Sequence, residues 1–153
     1  MEQPITILLA DDDEDDCLLF KQAVSELKVT ISLDVVSDGE KLMNLLKESD
    51  QLPTILFLDM NMPRKDGMAC LKEIKQSESL KSTPVIILST SASRDIIDKL
   101  YESGAQYYIR KPNDYSQLKY LIMTAIDLVA KKTTQPDIGD FVLSPEAYQH
   151  ETK

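Results

Sequence analysis

Short apolar runs alternate with helical patterns along most of this chain, and no other feature constrains its fold as strongly. "ITILLA" at 5–10 is followed by Cys17, Phe20, Val24 and Leu27, spaced as on one helix face. "ISLDVV" at 31–36 places Ser32 and Asp34 between apolar residues, as an edge strand does, and Ser37-Asp38-Gly39 turns the chain toward Leu42, Leu45 and Leu46. "TILFLD" at 54–59 is apolar up to its last residue, as in a strand covered on both faces, with Met68, Leu71 and Ile74 behind it. "PVIILST" at 84–90 precedes Ile96, Ile97 and Leu100, and "QYYI" at 106–109 precedes a helix from Tyr115 to Lys131. Five strand-helix units with short connections imply an α/β fold: a doubly wound, five-stranded parallel sheet with helices on both faces.

In an open sheet of this kind the ligand crevice lies beyond the carboxyl ends of the strands. Candidate functional residues are therefore the ones that follow strands. The first strand ends in Asp11-Asp12, the third in Asp59, the fourth in Ser89-Thr90 and the fifth in Arg110-Lys111-Pro112. Three carboxylates, a hydroxyl and an ammonium thus meet on one rim.

The acids of "DDDEDD", Asp11 to Asp16, are not all equivalent. Two unit charges at about 4 Å repel by roughly 4 kcal/mol at an effective dielectric of about 20, so the cluster needs positive charge nearby. Asp13, Glu14, Asp15 and Asp16 fall where a helix begins, and acids there are favoured by the helix dipole, so they are expected to be solvated. Asp59 has no such excuse. It terminates the most apolar strand, where an unpaired carboxylate is costly. A Mg²⁺ ion held by Asp11, Asp12 and Asp59, together with the Lys111 ammonium, would balance the charge, since Mg²⁺ takes one or two carboxylates and accepts a phosphate oxygen. The chemistry that fits is capture of a phosphoryl group by a carboxylate, which depends mainly on positioning and charge neutralisation.

The fragments "ILLADD", "LFLDMNMPRKDG", "PVIILST" and "YYIRKP", in this order, resemble the receiver domain of two-component response regulators, and the resemblance runs from Ile5 to Lys131. It implies a flavodoxin-like (βα)5 fold. It also implies that Asp59 accepts a phosphoryl group from a histidine kinase or histidine phosphotransfer protein. Asp11, Asp12 and the main-chain carbonyl of Asn61 would hold Mg²⁺ with Asp59, Lys111 would contact the phosphoryl group, and Ser89 would be the switch hydroxyl. Tyr108 aligns with the family's switch aromatic, which would move inward on phosphorylation, and the peptide before Pro112 would be cis. Gly67 would allow the turn before the third helix.

Composition narrows the partners. Seventeen basic against 26 acidic side chains leave a formal charge of −9, without a Lys/Arg cluster to neutralise a row of phosphates, so direct nucleic-acid binding is not expected. No apolar stretch approaches the about 20 residues of a membrane span, and the N-terminus lacks a signal peptide's basic region, so a cytoplasmic protein without membrane contact is expected. Cys17 and Cys70 lie in apolar helical patterns, without metal-ligand spacing, and read as core residues.

The composition shifts after Lys132, which suggests a receiver domain over residues 1–132 and a C-terminal tail over 133–153, docked or disordered. Phe141, Val142, Leu143 and Tyr148 are its docking candidates, and His150 lies too near the end to serve as a catalytic base. The tail is too short for a DNA-binding domain, so a stand-alone receiver acting through an unknown downstream protein, or as a homodimer through the last helix region, is expected. A Mg²⁺-dependent aspartyl phosphatase is the enzyme alternative, but its second acid would stand at position 61, where this chain has Asn61. A flavin module would need a phosphate-cradling loop where six acids stand. An EF-hand counted from Asp11 has Asp16 in place of its Gly and Gln22 in place of its Glu.

Overall fold

The computed structural model describes residues 4–132 and 134–144. Strands and helices alternate: β1 (Ile5–Ala10), α1 (Glu14–Ser25), β2 (Ile31–Val36), α2 (Gly39–Glu48), β3 (Ile55–Asp59), α3 (Gly67–Gln76), β4 (Val85–Ser89), α4 (Arg94–Glu102), β5 (Tyr107–Arg110) and α5 (Tyr115–Lys131). A 3₁₀ turn (Ile138–Asp140) and a short strand, β6 (Val142–Leu143), follow. All strand pairs are parallel, in the order β2-β1-β3-β4-β5-β6. The expected five-stranded core is therefore extended by one strand at the β5 edge. Two residues carry too little pattern to announce a strand, and β6 exists because β5 offers it unpaired backbone groups.

The sheet separates two cores. On one face, Phe20, Ala23 and Val24 of α1 and Leu121, Ile122 and Ala125 of α5 cover Ile7, Leu9, Phe57 and Ile86. On the other, Leu42 of α2, Leu71 of α3 and Leu100 of α4 cover Leu8, Leu56, Leu58 and Ile87. β3 and β4 are buried at every position, which is why they read as continuous apolar runs. β2, at the edge, alternates half-buried Ile31 and Leu33 with exposed Ser32 and Asp34. Each fully buried aliphatic side chain of this kind contributes about 1.5–3 kcal/mol.

Because every helix follows a strand, all five helix N-termini gather at the carboxyl end of the sheet. Each is closed by a side chain that accepts a backbone N–H: Asp13, Asp38, Asp66, Ser93 and Asp114. Gly67 follows its cap without a side chain for a steric reason: a Cβ there would lie 2.5 Å from the Asp59 carbonyl oxygen and 2.9 Å from Met60 Cα. Its own N–H donates to the Met60 carbonyl at 3.1 Å, folding the loop back under the end of β3. Cys17 is half-buried and Cys70 buried; burial is the main cause that pushes both thiols up to about 11. They are packing residues, as expected.

Candidate functional site

Strand register brings the rim residues together. Ala10 pairs with Leu58, so Asp11, the next residue after β1, stands beside Asp59 at the end of β3. Asp11 is fixed at both ends: its N–H donates to the Val36 carbonyl at 3.0 Å, and its Oδ1 accepts the Asp13 N–H at 3.0 Å. Asp11, Asp12 and Asp59 each offer a carboxylate oxygen, and the three oxygens lie within 4.8 Å of one another. Asp11 and Asp59 are buried and Asp12 is exposed, leaving the cluster open on one side. A cleft of about 370 Å³ adjoins it between α1 and the end of β2. An all-oxygen set of three carboxylates suits a hard divalent cation, and this cluster can hold one.

The positive charge is supplied by Lys111. Its Nζ lies 3.5 Å from Asp11 Oδ2, 3.6 Å from Asp59 Oδ1 and 3.0 Å from Asp16 Oδ2. The backbone positions it, because the Lys111 N–H donates to the Ser89 carbonyl at 2.9 Å and continues the pairing of β5 with β4. The Lys111–Pro112 peptide is trans, not cis as the resemblance implied, and no cis peptide occurs among the described residues. The ammonium reaches all three carboxylates from the trans form, which X–Pro bonds favour by about 0.5–1 kcal/mol.

One ammonium does not neutralise this many carboxylates. Burial pushes the Asp59 carboxyl up to about 6; Lys111 and the Asn61 backbone N–H oppose that shift, while Asp11 and Asp12 reinforce it. Asp11 is likewise raised, again by burial first, against the pull of the Asp13 N–H and Lys111. For Lys111 burial works against the charge, yet Asp11, Asp59 and Asp16 together hold its pKa above the ordinary lysine value. The site is rich in carboxylates and short of positive charge, as a cation-receptive site should be.

Asp16 keeps its expected place but gains a partner there. It sits in the first turn of α1 as the dipole argument requires, but it also makes the shortest of the three contacts to Lys111. A helix turns about 100° per residue, which carries Asp16 back toward the rim. That return was the signal available from sequence. Asp13 caps the helix, while exposed Glu14 and Asp15 make up the rest of its acidic first turn.

Ser89 is buried at the end of β4, and its Oγ accepts the Ser91 N–H at 3.1 Å. Asn61 is exposed two residues past Asp59. Tyr108 is wholly buried, with its hydroxyl donating to the Ser91 carbonyl at 2.7 Å. The expected inward position of Tyr108 is thus already taken in this structure, held by that bond and by Phe141, whose ring centroid lies 6.2 Å away. Tyr148 and His150 lie outside the described residues.

A strand-end aspartate between a carboxylate pair and a lysine, on a doubly wound parallel sheet, fits a domain that handles phosphoryl groups. The model of the response regulator receiver domain matches residues 7–138, and the chain belongs to that family. The probable methanogenesis regulatory protein FilR2 of Methanothrix harundinacea is 32% identical over 122 residues, which cover 77% of this chain and 79% of that protein. Response regulator Rcp1 of Synechocystis sp. is 32% identical over 120 residues, 75% of this chain and 82% of its own. The crystal structure of the Mn²⁺-bound form of Rcp1 superposes with a TM-score of 0.76 at 29% identity, covering 87% of this chain and 99% of that one. The phosphorylated cyanobacterial phytochrome response regulator RcpA superposes with a TM-score of 0.79 at 31% identity, covering 88% and 100%. The family serves two-component signalling and is not one of classical enzymes; its receivers are phosphorylated on an aspartate and interact with histidine kinases or phosphotransfer proteins. Among the described residues, no helix is long and apolar enough to cross a membrane.

Proposed function

We propose that this chain is a single-domain response regulator of the cytoplasm, in which Asp59 accepts a phosphoryl group from a histidine kinase or histidine phosphotransfer protein. The supporting observation is the placement of Asp59 within 4.8 Å of two further carboxylates and 3.6 Å from the Lys111 ammonium. A carboxylate oxygen of Asp59 forms the new bond to phosphorus while the bond from phosphorus to the donor breaks and the donor leaves with that electron pair. Mg²⁺, held by Asp11, Asp12, Asp59 and the Asn61 carbonyl, would supply the positive charge that neutralises the phosphoryl oxygens. Lys111 meets the oxygens on the other side, and the Ser89 hydroxyl donates to one of them.

The donated hydrogen bond redirects Ser89, which in this structure only accepts one from Ser91. Ser91 also accepts the Tyr108 hydroxyl, so the charge change at Asp59 reaches Tyr108 and biases a pre-existing conformation. We assign this chemistry to a receiver over residues 1–132, with 133–153 as a C-terminal tail. The output is contact with a downstream protein or a second copy, without direct binding of nucleic acid or membrane. Slow loss of phosphate from Asp59 is the one hydrolysis compatible with the site, because Asn61 supplies no general acid for turnover of phosphate esters.

Intact mass after incubation with acetyl phosphate and Mg²⁺ tests the reading. One phosphoryl adduct, absent in Asp59→Asn and in a chelated control, is the expected result. An adduct that survives the substitution would overturn the assignment of Asp59, and sustained hydrolysis of phosphate esters would favour the phosphatase.

A further inference from the structure

The chain beyond α5 returns to the body and is fastened there by its own Gln135 side chain, by the Tyr101 side chain of α4 and by the backbone of β5. Gln135 Nε2 donates to the Tyr101 and Ala105 carbonyls, each at 2.7 Å, and the Tyr101 hydroxyl donates to the Pro136 carbonyl at 2.6 Å. Phe141 is fully buried, with its ring edge-on to Tyr101 at 5.1 Å and tilted to Tyr108 at 6.2 Å. The Phe141 carbonyl accepts the Tyr108 N–H at 3.0 Å, and Val142 and Leu143 then pair with Tyr108 and Ile109. The family match ends at residue 138, so Phe141 and β6 lie outside it.

We propose that Phe141 is a positioning residue for Tyr108, and that residues 135–143 form a strap whose docking is linked to the phosphoryl state of Asp59. This rests on the reading of Asp59 given above. The inward Tyr108 has two anchors, the Ser91 carbonyl at its hydroxyl and Phe141 at its ring and amide. Turning the Tyr108 ring outward would break the hydroxyl bond and the ring contact, leaving only the amide bond, with Phe141 facing a void in the core, which disfavours the docked strap. Lifting the strap would in turn remove one wall of the Tyr108 site and expose the β5 edge. The two events form one two-state element. Phosphorylation acts on it from the Ser89–Ser91 end and the strap from the Phe141 end. By linkage, each strengthens the other by the same factor.

Hydrogen exchange on the full chain, with and without beryllofluoride and Mg²⁺ as the phosphoryl mimic, tests the link. The expected result is exchange across 135–143 slowed by about five-fold or more on loading, and beryllofluoride affinity weakened by a similar factor in Phe141→Ala. Tyr101→Phe keeps the ring contact with Phe141 and loses only the bond to Pro136. It should weaken affinity in the same direction by less, and it decides the matter if Phe141→Ala fails to fold. A strap whose exchange ignores beryllofluoride bound normally by the wild type would overturn the proposal, as would a destabilised Phe141→Ala or Tyr101→Phe with unchanged affinity. Wild-type protein that takes up no beryllofluoride would instead remove the acceptor reading itself.

Discussion

The two ends of the sheet solve the same problem differently. At the amino end, Thr6 and Thr54 satisfy each other: each backbone N–H donates to the other's hydroxyl, at 3.1 and 3.0 Å, and the two hydroxyls lie 3.2 Å apart. Neutral groups close this small network between themselves. At the carboxyl end, Asp11 and Asp59 are buried against a single ammonium, and Asp59 is held up to about 6 chiefly by that burial. The threonine pair is completed by folding, whereas the carboxyl end is left with a charge deficit that only something from outside can fill. This difference in completeness, more than polarity as such, separates a functional rim from a structural one.

Removing the shared cation should have the largest effect. Lys111→Met leaves Asp11 and Asp59 without their ammonium and should cost about 3 kcal/mol in chelator, with much of the loss recovered in millimolar Mg²⁺. Urea melts with and without the metal measure this, and a loss that Mg²⁺ does not touch would mean that the rim is merely structural. Gly67→Ala should follow, at about 2 kcal/mol, because the added methyl meets backbone of Asp59 and Met60 and neither can yield cheaply.

Asp59→Asn should act in the opposite direction. A carboxyl raised in the folded state binds protons more readily there than in the unfolded chain, so its contribution to stability falls as pH rises from 3.8 toward about 6. Removing it should stabilise the metal-free protein at pH 7.5 by about 1–2 kcal/mol and flatten that part of the pH profile. Melts across this range check the sign, and a destabilised variant would mean that Lys111 more than compensates the burial. The smallest effect belongs to the other end. Thr54→Val should cost about 1 kcal/mol, equally with and without Mg²⁺.

Much of this architecture was legible because period and position carry it. β1 and β2 fall on the apolar runs that suggested them, and α5 on its predicted span, because burial on two faces, one face or a helical stripe writes a different period for each. The rim residues were legible for another reason: Asp59 at the end of a run like Ile55–Leu58 has no cheap structural explanation. Asp16 was hidden because the helix dipole already accounted for an acid at that place, and a residue with a sufficient local reason conceals its distant one. β6 was hidden because pairing with an edge is a property of β5, not of Val142 and Leu143. Phe141 showed as apolar, but its neighbours Tyr101 and Tyr108 are set by tertiary packing that no spacing encodes.

If Asp59 alone, among the acids gathered on the rim, takes the phosphoryl group, the modification has a single position in the chain. Borohydride reduction of the acetyl-phosphate-treated protein converts an aspartyl phosphate to homoserine, and peptide mass spectrometry then locates it. Homoserine at position 59 and at no other aspartate is the expected result; homoserine at 11, 12 or 16 with position 59 unmodified would overturn the assignment.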